Sequence, residues 1–112
     1  MGKTAIKQVT LDDKYTLEKG AVFITGSQAL VRLPMVMRAR DEKQGHNTAG
    51  FISGYRGSPL ARLDQQLWRA QPLLEKSHIK FTPGINEDLG ATAVWGTQHT
   101  SLFEGAQYDG VF

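Results

Sequence analysis

The stretch "NTAGFISGYRGSPLARLDQQLWRA", residues 47–70, decides the fold. Its first half, "TAGFISG", is small, aromatic and β-branched, and it ends on glycine, as a buried strand does. The turn "GYRGSP" follows, and Pro59 then stands where a helix takes its first residue, since a proline there loses no hydrogen bond. Leu60, Leu63, Leu67, Ala70, Leu73 and Leu74 continue at helical spacing. A strand, a short glycine-flanked turn and a helix make one βα unit.

Similar units lie on both sides. Upstream, "AVFITG" (21–26) has the same strand signature, with Ser27 as the expected helix cap. The helix expected after it shows Ala29, Leu30, Leu33, Val36 and Met37 on one face, carries Pro34 inside, and leaves through "RARDEKQG" at Gly45. Downstream, "HIKFTPGI" reads as a third strand. Asn86 then caps a helix over "EDLGATAVWGTQHT", whose Glu87 and Asp88 complement the positive helix end. A fourth strand is expected to begin near Asp109. Strands and helices that alternate through short loops predict an α/β fold: a three-layer parallel sheet with flanking helices. Residues 1–19 form an N-terminal extension, with Leu11, Tyr15 and Leu17 as its packing points, and residues 20–112 form the first part of a domain. Because "YDGVF" starts a strand that nothing closes, the chain is expected to be a fragment of a longer protein.

Composition narrows the function. The 112 residues are 40% hydrophobic and 21% charged, and thirteen Lys and Arg face eleven Asp and Glu for a net charge of +2. With the basic residues scattered, neither nucleic acid nor a membrane surface is the expected partner. No cysteine is present, so these residues supply neither a disulfide nor a thiolate-held metal. A leader and a spanning segment are both missing from the pattern, so a cytoplasmic location is expected. The Met-Gly start lacks the Ser or Thr at position six that myristoylation prefers.

In open parallel sheets, ligands bind beyond the carboxyl ends of the strands. Three loops qualify: Thr25 to Ser27, Gly54 to Ser58, and Pro83 to Glu87. "FITGSQAL" resembles a dinucleotide-binding turn but lacks its further glycines, and "GYRGSP" lacks the Gly-Lys-Ser/Thr of a phosphate loop. The two glycines of "GYRGSP" still allow close backbone approach, and Arg56 adds a charge. Glu87 has two readings, a dipole partner or a carboxyl raised in proton affinity by burial against Leu89, Val94 or Trp95. His46, His78 and His99 have no metal-ligand spacing, so no metal site is expected. Trp68, Trp95, Met35 and Met37 read as core.

Taken together, "NTAGFISGYRGSPLARLDQQLWRA" and the later "FTPGINEDLGATAVWGTQ" resemble the N-terminal segment of indolepyruvate ferredoxin oxidoreductases, in the thiamine-diphosphate-dependent 2-oxoacid:ferredoxin oxidoreductase family. The resemblance runs from about "VTLDDKYTLEKG" to "YDGVF". It implies a pyrimidine-binding type domain, here incomplete, in which Glu87 is the catalytic and cofactor-binding carboxyl that hydrogen-bonds the aminopyrimidine ring. Ser58 would meet the substrate carboxylate where relatives usually have Thr. Arg56 stands where many relatives have Pro, so cofactor contact there is assigned to its backbone. The implied reaction is oxidative decarboxylation of indolepyruvate or another arylpyruvate to acyl-CoA, with reduction of ferredoxin. The implied cofactors are thiamine diphosphate with Mg2+ and an iron–sulfur cluster, and the implied partners are the 2-oxoacid, coenzyme A, ferredoxin, missing C-terminal domains and a second copy as a homodimer. Neither a Gly-Asp-Gly motif nor the cluster cysteines occur here, so the fragment alone is expected to be inactive. The alternatives are a non-catalytic α/β interaction module or truncated subunit, and another thiamine-diphosphate enzyme such as a decarboxylase or transketolase.

Overall fold

In "TAGFI" the small residues Ala49 and Gly50 leave room for neighbours on both sides, and the segment becomes the central strand of the sheet. The computed structural model describes residues 8–57, 60 and 62–112. Its elements are α1 (Asp13–Thr16), α2 (Gly26–Lys43), β1 (Thr48–Ile52), α3 (Leu63–Arg69), α4 (Gln71–Lys76), β2 (Ile79–Phe81), α5 (Glu87–Thr97), a 3-10 turn (Thr100–Leu102) and β3 (Gly110–Val111). The sheet order is β2-β1-β3 and both pairings are parallel. Gly50 stands opposite Ile79 on one side, and Thr48 stands opposite Gly110 on the other. The chain is thus a small α/β domain with a three-stranded parallel sheet flanked by helices.

The core joins α2, α3, α4 and β2. Val31, Met35, Leu67, Ala70, Leu74 and Ile79 form one buried cluster, with Tyr15, Ile52, Leu63, Leu73, Phe81 and Phe112 packed against it. Each fully buried aliphatic side chain contributes roughly 1.5–3 kcal/mol. The predicted helical spacing through Leu67, Ala70 and Leu74 is therefore the packed one. The helix is nonetheless divided at Ala70, and Pro72 lies in the first turn of α4. Its missing N–H is harmless there but would break a continuous helix. The expected start at Pro59 lies outside the described residues; α3 itself begins at Leu63, after Arg62 in the left-handed region with φ 69°.

Three expectations are corrected. Residues 21–25 form no strand, and Phe23 is 95% exposed. No strand of the sheet pairs with this segment, and an apolar segment without a ladder cannot satisfy its backbone as sheet. Thr25, not Ser27, caps α2, because its hydroxyl accepts from the Gln28 amide at 3.2 Å while Gln28 Oε1 accepts from the Thr25 amide at 3.1 Å. This reciprocal pair satisfies two donors together. The buried face of α2 is Val31, Met35 and Arg38, while Leu30, Leu33 and Val36 stay about half exposed.

Arg38 explains that rotation of the helix. Its guanidinium donates to Asn47 Oδ1 at 3.1 Å and to the Thr48 carbonyl, the first of β1. Asn47 carries the link to β3, for its amide donates to Asp109 Oδ2 at 2.6 Å and its side chain donates to the Gln107 carbonyl at 3.0 Å. The N-terminal extension is clamped by Arg32, which donates to the carbonyls of Lys14 and Leu17 at 2.7 and 2.6 Å. Tyr15 is its packing point, whereas Leu11 is 85% exposed. Burial, with a smaller contribution from nearby Asp12, pushes the Tyr15 hydroxyl above its ordinary pKa of 10.0.

Candidate functional site

Parallel pairing of β1 with β2 brings their carboxyl ends to one edge, and the ladder continues past both strands. Thr82 N donates to the Ile52 carbonyl and Gly84 N to the Gly54 carbonyl, both at 2.9 Å. Tyr55 and Gly84 form a last parallel bridge. The loops at Gly54 and Pro83 expected to share an edge therefore do so, joined by backbone. The Thr25 loop does not belong to that edge, since no strand precedes it.

Glu87 is placed by the cap that the sequence suggested. Asn86 is extended, and its Oδ1 accepts from the Leu89 amide at 2.9 Å. The helix then starts three residues after Gly84. Between this helix and the β1 loop opens a cavity of about 550 Å³, with Ser53, Gly54 and Tyr55 on one wall and Glu87, Val94 and Trp95 on the other. Glu87, Ala91 and Val94 recur at helical spacing, so one helix face lines it.

The Glu87 carboxylate is exposed and makes no hydrogen bond or ion pair with the described residues. Both its oxygens are free to accept from a ligand N–H. The burial that the second reading of Glu87 needed is not found, because Leu89 is 51% and Trp95 66% exposed. Trp95 is therefore a cavity wall and not a core residue, a correction that the spacing from Glu87, just over two helical turns, already allowed. Trp68 is likewise corrected: it lies at the surface, edge-on to Phe81 with ring centroids 5.7 Å apart.

Arg56 turns to the other side of its loop. Its Nε donates to Asp64 Oδ2 at 3.1 Å, and its guanidinium lies 4.6 Å over the Trp68 ring. It borders a second cavity of about 200 Å³ together with Leu63, Leu67 and Phe81. Within the turn, the Tyr55 ring fills the space that a side chain on Gly57 would need. Ser58 lies outside the described residues.

The arrangement can hold a flat polar ring: a free carboxylate at one side, carbonyl-bearing backbone at the other, and aromatic and aliphatic surface from Tyr55, Val94 and Trp95 against its faces. Among the described residues, no group of three or more His, Cys, Asp or Glu is placed to hold a metal ion, and no helix is long and apolar enough to cross a membrane. No family model matches this chain, and neither a curated protein nor a solved structure matches it.

Proposed function

We propose that the chain forms the aminopyrimidine-binding side of a thiamine-diphosphate site in a 2-oxoacid:ferredoxin oxidoreductase acting on indolepyruvate or a related arylpyruvate. The observation that carries this reading is the free Glu87 carboxylate facing the Ser53–Tyr55 loop across one cavity, at the carboxyl edge of two paired parallel strands. The residues fit the ring of the cofactor, because an unpartnered carboxylate beside apolar walls is what a planar N–H donor needs. They supply no ligand set for its diphosphate and Mg2+, which this reading assigns to segments beyond these 112 residues, along with the iron–sulfur cysteines.

When bound, thiamine diphosphate supplies the electron sink for decarboxylation. Glu87 accepts a hydrogen bond from the ring and takes or returns its proton, with the amide end of α5 stabilising the carboxylate. Val94, Trp95 and Tyr55 offer apolar and aromatic surface to the ring. Ser58 orients the substrate carboxylate, and Arg56 contributes backbone alone, its guanidinium being engaged by Asp64. Coenzyme A and ferredoxin belong to the same proposal, as do a cytoplasmic location and a homodimer.

The test uses the polypeptide in which this chain is joined to Gly-Asp-Gly and cysteine-bearing segments. Glu87→Gln lowers indolepyruvate-dependent dye reduction by about 10²-fold or more, the worth of a positioned acid–base group, and leaves cluster absorbance intact. Retained activity refutes the assignment. A reading frame that encodes neither segment past Phe112 favours instead an α/β interaction module, docking through the exposed Leu89, Trp95, Leu102 and Phe103.

A further inference from the structure

We infer that Gly84 is a positioning residue for Glu87, an inference whose functional meaning rests on the reading above. A Cβ on Gly84 would lie 3.0 Å from the Asn86 carbonyl oxygen, 3.0 Å from Gly90 Cα and 3.1 Å from Gly90 N. All three are backbone atoms, which cannot swing aside as a side chain does. Gly84 is at the same time tied to the opposite wall, through the hydrogen bond its amide donates to the Gly54 carbonyl and the bridge to Tyr55. One residue thus touches both walls of the cavity.

Gly90 is the buried residue of α5, three positions after Glu87. Its bare backbone faces Gly84 on one side, and its own missing Cβ points toward Ser53 Oγ at 3.5 Å and Gly54 Cα at 3.6 Å. The first turn of α5 therefore rests on the sheet edge by backbone contact, without a side chain as spacer. Glycine allows this kind of close helix–strand approach. A methyl on Gly84 forces α5 outward by a few tenths of an ångström, and the Glu87 carboxylate, further along the lever, moves with it. Hydrogen bonds weaken steeply once distance and angle leave their narrow range. Gly84 so sets how far the ring-binding carboxylate stands from the Gly54 backbone.

The experiment compares Gly84→Ala with Gly96→Ala, the same change in α5 where a Cβ meets open space. In 1H–15N spectra, Gly84→Ala shifts the amides of residues 53–55 and 86–91 and weakens the NOE between the α protons of Gly54 and Gly90; Gly96→Ala does neither. Thiamine is then titrated into each protein. The wild type and Gly96→Ala respond at Glu87 and Tyr55, and Gly84→Ala needs about tenfold more thiamine for the same response, as loss of a charge-assisted hydrogen bond implies. An unchanged amide pattern and thiamine response in Gly84→Ala overturns the inference. If thiamine perturbs nothing in the wild type, the proposed function fails, and the amide and NOE comparison alone decides the role of Gly84. Should Gly84→Ala not fold, the wild-type NOE between Gly84 and Gly90 decides, its absence overturning the contact.

Discussion

Arg38 is the charged side chain that this small core buries, at 6% exposure, and replacing it with methionine isolates what its guanidinium does. The unbranched stem keeps most of the packed volume, so no large cavity forms. Two hydrogen bonds are lost. The one to the Thr48 carbonyl leaves an acceptor at the start of β1, and a charged donor there is worth about 1.5–3 kcal/mol. The one to Asn47 costs less, because that exposed amide turns to water. The ion pair with Glu42 is long, at 4.0 Å, and the Glu42 side chain is 70% exposed, so it adds little. Relief of the buried charge offsets part of the sum. The net expectation is a loss of about 2 kcal/mol, which for a domain near 100 residues lowers Tm by roughly 8–16 °C.

Urea unfolding followed by circular dichroism measures it, as a lower midpoint at unchanged slope. Hydrogen exchange adds location: the amides of Asp109 and Phe112, which bond to the Asn47 and Ala49 carbonyls at 2.9 Å, exchange faster in Arg38→Met because Asn47 has lost its anchor. A variant within about 0.5 kcal/mol of wild type, the range of inconsequential surface changes, would show that α2 is oriented by Val31 and Met35 alone.

Asn86→Ala removes the acceptor for the Leu89 amide and costs about 1 kcal/mol, whereas Asn86→Asp keeps it; thermal unfolding of the two variants separates cap loss from any change of side-chain size. For Tyr15, the folded pKa lies above 10.0, so the fold favours the neutral phenol. The stability it brings is complete below the unfolded pKa and is lost as pH rises through the folded one. Urea midpoints measured upward from about pH 9 fall less steeply in Tyr15→Phe, and equal slopes would refute the burial of the hydroxyl.

Local chemistry was the legible part of this chain. β1, the Asn86 cap and the acidic first turn of α5 follow from residues close in sequence, acting on their own backbone, and the strand–helix alternation implies the parallel pairing that brings Gly54 beside Gly84. In the candidate region, the positions of Glu87 at the start of α5 and of the glycine turn after β1 were recognisable before any sheet was drawn. Arg56 was less so. Asp64 and Trp68, which engage it, stand one turn apart on α3, and nothing local says which way the loop between Gly54 and Gly57 will lean.

What failed to read through has a single physical origin. Apolar periodicity reports that a face gains by leaving water, but not which surface covers it. Helix α2 carries two such stripes, Leu30–Leu33–Val36 and Val31–Met35, and periodicity favours the first. The second is buried because Arg38 continues it toward the carbonyl of Thr48, a polar partner more demanding of geometry than any aliphatic neighbour. The same reasoning applies to "AVFIT", whose β-branched residues describe a strand only if a free sheet edge lies alongside. With no strand of the sheet paired to that segment, Phe23 stays in water, and Thr25 uses its hydroxyl to start a helix. At Arg38 and at Thr25, polar groups with a single workable geometry thus decide what the apolar pattern leaves open, while α3 and α4 join the core through Leu67, Ala70 and Leu74.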